Sequence, residues 1–324
     1  MFSYSKCLDI IENQLSSLSL EKKPIELYQP IRYILSIGGK RVRPCLAMMS
    51  HSLFSDSVES VIGPAMGIEL FHNFTLLHDD IMDNARVRRN YPTVNVKWNQ
   101  NAAILSGDAM MILAYQLISK TPINILPKVL DLFNQTALEV CEGQQLDMNF
   151  EKCLDISVEE YLEMIRLKTA VLIAASLATG GITAMADSKD IEYLYRFGLN
   201  IGMAFQLQDD YLDVFANNHQ FGKSLGGDIV ANKKTFLMLK ALQSSDKNLV
   251  HELETWITRE NFNPDEKIES VKIIYEELNI PEKTRQLIET YFTSGFEFFQ
   301  RIHVSDERKV ELCKFVTQIM KREH

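Results

Sequence analysis

Apolar residues recur every three to four positions through most of this 324-residue chain. Spacing of this kind predicts amphipathic helices. The clearest patterns lie at about 101–119, 125–148, 157–179 and 188–215. An earlier apolar segment runs from Val61 to about Arg88 and breaks at Pro92. No stretch alternates apolar and polar residues for long enough to require a sheet, so the pattern predicts an all-α fold.

One apolar segment, from Thr169 to Ala186, carries no charged residue over 18 positions. That length is close to what a membrane-spanning helix needs. Thr and Ser side chains and the Gly180-Gly181 pair interrupt the segment, so we expect a buried core helix of a large helical protein. We expect no transmembrane segment, and the N-terminus shows no apolar signal-peptide core.

The composition agrees with a helical globular protein. Hydrophobic residues make up 46% of the chain and charged residues 24%, which excludes a disordered or fibrous protein. Only 14 Gly and 9 Pro occur, which favours long helices over a turn-rich β sandwich. No low-complexity linker divides the chain, so we expect a single domain over residues 1–324, with charged amphipathic helices from about 244 to 324.

The charge and the cysteines limit the partners and the compartment. The net charge of −9 is unfavourable for nucleic-acid binding, which needs a basic surface, although a local basic cluster can still hold a small anion. The five cysteines form no CxxC pair and no metal-like spacing. This set predicts free thiols in a reducing compartment and therefore a cytoplasmic protein.

Two aspartate clusters with the same spacing lie 130 residues apart, in LLHDDIMDN (76–84) and FQLQDDYLDVF (205–215). The flanking residues are too apolar for an ordinary solvated acidic face. Two such clusters facing each other would form an oxygen-rich cage of the kind that Mg²⁺ uses together with substrate phosphates. The clusters consist of Asp79, Asp80 and Asp83, and of Asp209, Asp210 and Asp213.

Basic residues accompany both clusters. In GGKRVRP (38–44), Lys40 and Arg43 can converge on an anion where a helix begins, although a helix C-cap with incidental surface charges explains the same residues. Other basic residues follow the aspartates, and these suggest phosphate clamps. They are Arg86, Arg88, Arg89, Lys168, Lys223, Lys233 and Lys234. Of the last two, we expect one to be an ordinary surface lysine.

Taken together and in order, these motifs resemble the trans-isoprenyl diphosphate synthases, or polyprenyl synthetases. The resemblance covers about residues 30–240 and includes both aspartate motifs, GGKRVRP, RRNYPT, GQQLD (143–147), LKT (167–169) and FGKSLGGD. It implies antiparallel helices around a deep central cavity, and a homodimer. It also implies a transferase that condenses isopentenyl diphosphate with dimethylallyl, geranyl or farnesyl diphosphate, with Mg²⁺ as cofactor.

The resemblance also assigns roles to residues. The implied metal-binding residues are Asp79, Asp83, Asp209 and Asp213, the last in a supporting role together with Asp80. The implied contacts to the allylic diphosphate or its nascent cation are Arg88, Lys168, Thr169, Gln206, Lys223 and Lys233, with Lys234 as the alternative to Lys233. The implied isopentenyl diphosphate site comprises Lys40, Arg43, His72 and Arg89. A lone His on an apolar helix is usually structural, but His72 lies two turns before Asp79 on the same face.

Product length is expected to depend on residues deeper along the first aspartate helix. Thr75 and Phe74 precede Asp79 by four and five residues, about 6–7.5 Å along a helix. In the resembling family, bulk at these positions forms the floor of the cavity, so the bulky Phe74 and small Thr75 predict a C15 or C20 product. Alternatively, Phe74 packs in the core and Met110 or Met111 forms the floor.

Several other functions remain open from the sequence. A longer-chain polyprenyl diphosphate synthase would share every motif. A class I terpene cyclase would share the metal cage, but it would not need the second diphosphate site. A catalytically silent subunit would not need two intact aspartate motifs, and a helical scaffold would bind cations without any dependence on diphosphates.

Overall fold

The helices begin where the sequence supplies side chains that satisfy unpaired backbone N–H groups. Asn99 accepts from the N–H of Ala102, and Asn263 accepts from the N–H groups of Asp265 and Glu266. Ser157 and Glu160 form a reciprocal capping box. The computed structural model describes residues 2–153, 155–216 and 226–321. Apart from one short hairpin, the regular structure there is helical, which confirms the predicted all-α fold.

The described residues 2–153 contain seven helices and two short strands. These elements are α1 (Tyr4–Ser16), α2 (Ile25–Ser36), α3 (Val42–His51), α4 (Glu59–Met82), β1 (Val87–Arg88), β2 (Tyr91–Pro92), α5 (Val94–Lys97), α6 (Gln100–Ile118) and α7 (Leu126–Lys152). The remaining elements are α8 (Val158–Ile165), a π-helix (Arg166–Ala170), α9 (Val171–Thr183), α10 (Ser188–Phe215), α11 (Gly227–Val230), α12 (Phe236–Leu242), α13 (Lys247–Thr258), α14 (Pro264–Glu277), α15 (Ile280–Gln300) and α16 (Asp306–Met320).

The chain divides into two compact units. The first comprises residues up to Asn134, Ala175–Tyr195 and Ile302–Phe315. The packing of α4 against α6 is its main contact, and Gly67 permits close approach because a Cβ there would lie 2.9 Å from the Ala114 carbonyl oxygen. Phe71 on α4 is fully buried and packs edge-on against Phe133.

The second unit comprises Gln135–Ala174, Arg196–Arg301 and the residues from Val316. Two apolar clusters lie among the described residues of this unit. One is built around Leu253, Val271 and Tyr275, and the other around Tyr161, Ala170 and Leu207. The second cluster includes residues on α8, α10 and the π-helix, so the segment that carries Lys168 and Thr169 rests on a packed core. A single domain over 1–324 remains a prediction.

The uncharged segment forms α9 and is largely buried, as the sequence predicts. Two stretches are long and apolar enough to cross a membrane by length and composition: Gln100–Ile118, with 33% of its most apolar window buried, and Val158–Thr183, with 83% buried. The second stretch is mostly buried inside the protein, as expected for a core helix.

One predicted helix is wrong in its extent. The segment expected to continue from Val61 to about Arg88 ends as α4 at Met82, and β1 and β2 then form an antiparallel hairpin. The arginines that follow the first aspartate cluster therefore lie on a hairpin and not on further helical turns. The physical reason is a two-residue turn at Arg89 and Asn90, which have positive φ values of 52° and 65°. Such a turn closes a hairpin with the native strand twist.

Candidate active site

The first aspartate cluster lies at the C-terminal end of α4, and its three carboxylates differ in environment. Asp80 is 1% exposed, whereas Asp79 is half-buried and Asp83 is exposed. The Arg88 guanidinium holds Asp80 through Nε, 2.9 and 3.0 Å from the two carboxylate oxygens, and through Nη2 at 2.8 Å from Oδ1. Burial raises the pKa of Asp80, and the contacts with Arg88 oppose that rise. Asp80 is therefore an anchor for the hairpin.

The two arginines of the hairpin contact different partners. Arg88 pairs with Tyr91 across the two strands and reaches Asp80. Arg89, in the turn, donates from Nη1 to the carbonyl oxygen of Gly38 and lies against Gly39. Gly38 has φ +77°, and a Cβ on Gly39 would lie 2.8 Å from Arg89 Nη1, so this loop needs glycine at both positions.

A cationic cluster forms around His72, one of the predicted isopentenyl diphosphate residues. Arg43 Nη1 lies 3.2 Å from His72 Nε2. Burial, followed by the charges of Arg43, Arg89 and Arg88, holds the pKa of His72 well below its usual range. The ring is therefore neutral at pH 7, and Nε2 accepts a hydrogen bond from Arg43. The structure thus brings three of the four predicted residues, Arg43, His72 and Arg89, into one electrostatic cluster.

The neighbouring basic residues of GGKRVRP have separate tasks. Lys40 is exposed, and its carbonyl oxygen accepts a hydrogen bond of 2.8 Å from the Tyr4 hydroxyl. Arg41 is buried and has φ +43°, with its guanidinium 2.8 Å from both Glu12 and Glu69 and 2.6 Å from the Leu35 carbonyl oxygen. Arg41 therefore connects α1, α2 and α4 and fixes the start of α3.

The second aspartate cluster, on α10, repeats the division between a buried middle residue and more accessible outer ones. Asp210 is 3% exposed, whereas Asp209 is exposed and Asp213 is half-buried. Asp210 accepts from the Tyr161 hydroxyl and, at 2.9 Å, from Gln206 Nε2. Burial raises the pKa of Asp210 to about 7, against the opposing charge of Lys233.

Gln206 also contacts the π-helix, because its Oε1 accepts a 3.0 Å hydrogen bond from the Thr169 hydroxyl. Two of the predicted allylic contacts, Thr169 and Gln206, are thus joined to the second aspartate cluster through Asp210. A π-helix holds one extra residue per turn and is common at functional sites. Here it is the segment Arg166–Ala170, in which the Val171 N–H bonds to the Arg166 carbonyl oxygen.

Close packing by glycine holds the π-helix from two neighbouring helices. A Cβ on Gly143 of α7 would lie 2.7 Å from both the Leu167 carbonyl carbon and the Lys168 Cα. A Cβ on Gly202 of α10 would lie 2.5 Å from the Ala170 Cα. Lys168 Nζ lies 2.6 Å from the Asp147 carboxylate, which orients the ammonium group.

The third predicted basic segment follows α11. Asp213 accepts a 3.0 Å hydrogen bond from the Asp228 N–H, and Lys233 Nζ lies 3.7 Å from Asp228 Oδ1. Lys233 also lowers the pKa of Asp210, whereas Lys234 acts on Lys267 instead. Of the two alternatives, Lys233 is thus the lysine on the aspartate side. The predicted Lys223 lies outside the described residues.

Comparison with known proteins places this arrangement in a family. The polyprenyl synthetase family model matches residues 24–278, which is most of the chain. The chain belongs to the polyprenyl synthetase family. A geranylgeranyl diphosphate synthase of Methanosarcina mazei is 40% identical over 228 residues, covering 69% of this chain and 70% of that protein.

Solved structures of polyprenyl synthetases resemble this one over nearly the whole chain. A crystal structure of a geranylgeranyl pyrophosphate synthase has a TM-score of 0.95 and 42% identity, with 100% of both chains covered. A Corynebacterium glutamicum geranylgeranyl pyrophosphate synthase, crystallised with isoprenyl diphosphate and magnesium, has a TM-score of 0.84 and 26% identity, covering 98% of this chain and 97% of that one.

The carboxylates of this polyprenyl synthetase suit a metal that is shared with a substrate. Among residues 2–153, 155–216 and 226–321, no three His, Cys, Asp or Glu side chains form a group that could hold a metal ion. Mg²⁺ usually takes one or two carboxylates, several waters and substrate phosphates, and seldom an all-protein cage. Asp79, Asp83 and Asp209, more accessible than Asp80 and Asp210, supply oxygen donors of that kind.

The predicted chain-length residues lie on α4, beside α6. Phe74 is half-buried, packs 5.7 Å from the Phe71 ring and 4.7 Å from the His78 ring, and would lie 3.4 Å from a Cβ on Gly107. The Thr75 hydroxyl donates to the His72 carbonyl oxygen at 2.8 Å, so this side chain adds little bulk. Of the alternatives on α6, Met110 is fully buried and Met111 is half-buried.

Three contacting residues were not singled out from the sequence. Asp147 orients Lys168, Tyr161 anchors Asp210, and Asp228 links Asp213 with Lys233. Asp147 and Asp228 close the GQQLD and FGKSLGGD motifs, so their place in those motifs was a usable signal. Tyr161 had no such signal in the sequence, because a Tyr at helical spacing is usually a core residue.

Proposed function

We propose that this polyprenyl synthetase condenses isopentenyl diphosphate with allylic diphosphates, head to tail, into an all-trans prenyl diphosphate of C15 or C20. The observation that carries the proposal is the Arg43–His72–Arg89 cluster, which adds two guanidinium groups to the Arg88 that already pairs with Asp80 of the first aspartate motif. A reaction with one diphosphate substrate has no use for a second cationic cluster. A condensation of two diphosphates requires one.

Specific residues would bind each substrate. Arg43, Arg89 and Lys40 supply positive charge for isopentenyl diphosphate, and the neutral His72 orients Arg43. Lys168, held by Asp147, and Lys233, near Asp228, supply positive charge for the allylic diphosphate. Arg88 is already bound to Asp80, so its role combines anchoring with a contact to that diphosphate. Lys223 is proposed for the same substrate from its place in the FGKSLGGD motif.

During the reaction the bond between the allylic carbon and its diphosphate oxygen breaks, and the isopentenyl double bond attacks that carbon. A proton then leaves the new product, and the released pyrophosphate is its acceptor. The oxygens of Thr169 and Gln206 present dipoles to the allylic cation, and their mutual hydrogen bond fixes their orientation. Binding of both substrates should also exclude water, which would otherwise quench the cation.

Magnesium is the proposed cofactor, held by Asp79 and Asp83 and by Asp209, with Asp213 in support. The metal, when bound, neutralises negative charge on the departing diphosphate. The buried Asp80 and Asp210 hold their helices and arginine or tyrosine partners in place, and they leave binding to the outer carboxylates.

We propose a homodimer that forms through α6. Ile104, Leu105 and Ile112 lie on one side of this helix and are 40%, 60% and 61% exposed. A stripe of large apolar side chains on a long helix indicates a protein–protein contact. Sedimentation of the Leu105→Glu/Ile112→Glu variant should show a monomer, whereas Ile123→Glu, at an exposed site off the helix, should leave the dimer intact.

A cytoplasmic location is also proposed. All five cysteines are free thiols, including the fully buried Cys7 and Cys45. Free thiols without structural disulfides are typical of a reducing compartment.

The experiment that tests the function is an incubation with isopentenyl diphosphate, Mg²⁺ and each of the C5, C10 and C15 allylic diphosphates. Products are dephosphorylated and sized by mass spectrometry. A ladder that stops at C15 or C20 supports the proposal, and a ladder past C25 retains the enzyme class but refutes the product length. Cyclised or hydrolysed hydrocarbon without condensation would instead indicate a cyclase. Asp79→Asn should abolish the ladder, whereas Asp131→Asn, an exposed carboxylate on α7, should not.

A further inference from the structure

Lys267, on α14, is a lysine in the interior of the second unit. It is 1% exposed, although lysines are almost never fully buried without a partner. The neighbouring core residues on α14, Val271, Ile274 and Tyr275, are apolar or aromatic. Burying a lysine on such a helix is costly unless its ammonium group finds partners, so those partners indicate what the lysine does.

The ammonium group of Lys267 reaches a turn at the end of α11. Nζ lies 2.6 Å from Asn232 Oδ1 and 4.3 Å from the centre of the Phe262 ring. Asn232 has φ +53°, and its Nδ2 donates to the Ile257 carbonyl oxygen at 3.0 Å. Both ends of the Asn232 amide are therefore tied to the C-terminal helices, which fixes the left-handed turn at this residue.

The residue that follows the turn is Lys233. Its N–H donates to the Asp228 carbonyl oxygen at 2.9 Å, and its ammonium lies near the Asp228 carboxylate. The charge of Lys234 acts on Lys267, whereas the charge of Lys233 acts on Asp210. Asn232, whose amide is held at both ends, directly precedes these two lysines.

We propose that Lys267 is a positioning residue for Lys233: by holding the Asn232 amide, it keeps the Lys233 ammonium where an allylic diphosphate binds. The proposal rests on the function proposed above. It gives the chain beyond residue 244 a task in substrate binding, which the sequence left undecided.

The test compares Lys267→Met, which keeps the length of the side chain and removes its charge, with Lys247→Met, an exposed lysine at the start of α13. In Lys267→Met the KM for geranyl diphosphate should rise about tenfold, the effect of losing one charge-assisted contact. The KM for isopentenyl diphosphate should stay the same. Lys247→Met should change neither constant. A purely structural Lys267 would alter urea unfolding and leave both KM values unchanged, and that result overturns the proposal.

A second comparison asks whether Lys267 acts through Lys233. Lys233→Met should raise the same KM, and the Lys233→Met/Lys267→Met variant should be no worse than Lys233→Met alone. Additive losses would overturn the proposal. If Lys267→Met does not fold, Asn232→Gly takes its place, because glycine keeps the left-handed turn and removes the amide.

Binding of inorganic pyrophosphate in the presence of Mg²⁺, measured by calorimetry, separates this inference from the enzyme assignment. A wild-type protein that makes no prenyl product refutes the proposed function. Lys267→Met should still bind pyrophosphate about tenfold more weakly than wild type. Equal affinity in the two proteins would refute the role of Lys267 even where the enzyme is active.

Discussion

Adding one methyl group at Gly143 should damage catalysis far more than stability. The new Cβ of Gly143→Ala would lie 2.7 Å from two backbone atoms of the π-helix, Leu167 C and Lys168 Cα. The Lys168 backbone nitrogen would be closer still to the new Cβ. Ordinary contacts between such atoms are about 3.5 Å, so the two backbones must separate by at least about 0.8 Å. Because the obstructing atoms are backbone, no side-chain rotation relieves the contact.

The change in stability combines two opposing effects. Overpacking of this kind costs about 1–3 kcal/mol. Alanine in place of glycine in a helix interior returns about 1 kcal/mol. We therefore expect the free energy of unfolding to fall by about 0–2 kcal/mol, with the fold intact.

The change in activity follows from the shift of Lys168 and Thr169, which the π-helix carries. A misplacement of about 1 Å at a reacting site can cost on the order of 100-fold in rate. We expect kcat/KM for geranyl diphosphate to fall about 10- to 100-fold at saturating isopentenyl diphosphate. Steady-state kinetics and urea unfolding measure the two effects. Gln145→Ala, on the exposed side of the same helix, is the control. Full activity together with increased stability in Gly143→Ala would refute the close-packing argument.

Three further predictions follow from the site. Asp79→Asn should lower kcat at least about 100-fold, since a metal contributes several kcal/mol of charge stabilisation. Asp80→Asn should mainly lower the free energy of unfolding, by about 1–3 kcal/mol, because Arg88 remains partly solvated. The dependence of rate on Mg²⁺ concentration should shift in Asp79→Asn and stay unchanged in Asp80→Asn. Burial raises the pKa of Asp210 to about 7, so the folded protein retains a proton that the unfolded chain loses above its ordinary value of 3.8. The stabilisation from Asp210 is full below pH 3.8 and is lost as the pH rises through 7. Between pH 5 and 7.5, the free energy of unfolding in urea should therefore fall by roughly 2–3 kcal/mol more in the metal-free wild-type protein than in Asp210→Asn. Equal losses in both proteins would contradict the burial argument. Phe74→Ala should lengthen the product beyond C20 by mass spectrometry; an unchanged product spectrum would assign the floor to another residue.

Helical periodicity was sufficient to place most helices, because apolar stripes and capping residues act over short stretches of chain. The predicted patterns at about 101–119, 125–148 and 188–215 correspond to α6, α7 and α10. The hairpin was missed for a physical reason: its Arg89-Asn90 turn lacks the glycine that usually marks such turns. A contact to Asp80 at the end of the preceding helix and a contact to Gly38, distant in sequence, hold it instead.

The π-helix and the buried lysine were invisible for related reasons. One extra residue within five does not disturb a periodic pattern that continues on both sides of it. Lys267 lies on a helix whose charge pattern predicts a solvent-facing side chain, and only the position of Asn232 gives its ammonium a buried partner. In both cases a close approach between segments distant in sequence decided the local structure.

The aspartate motifs show where spacing stops being informative. Their three carboxylates are equivalent in sequence, and helical geometry alone separates them only by face. Burial makes the distinction, since the middle residue of each motif is turned inward. The partners then differ: Asp80 meets the charged Arg88, whereas Asp210 meets the neutral donors Tyr161 and Gln206. The charge of a guanidinium opposes the rise that burial causes in the pKa of a carboxylate, and neutral donors oppose it less. The two motifs, alike in sequence, should therefore respond differently to pH. Between pH 5 and 7.5, the difference in unfolding free energy from wild type should change less for Asp80→Asn than for Asp210→Asn.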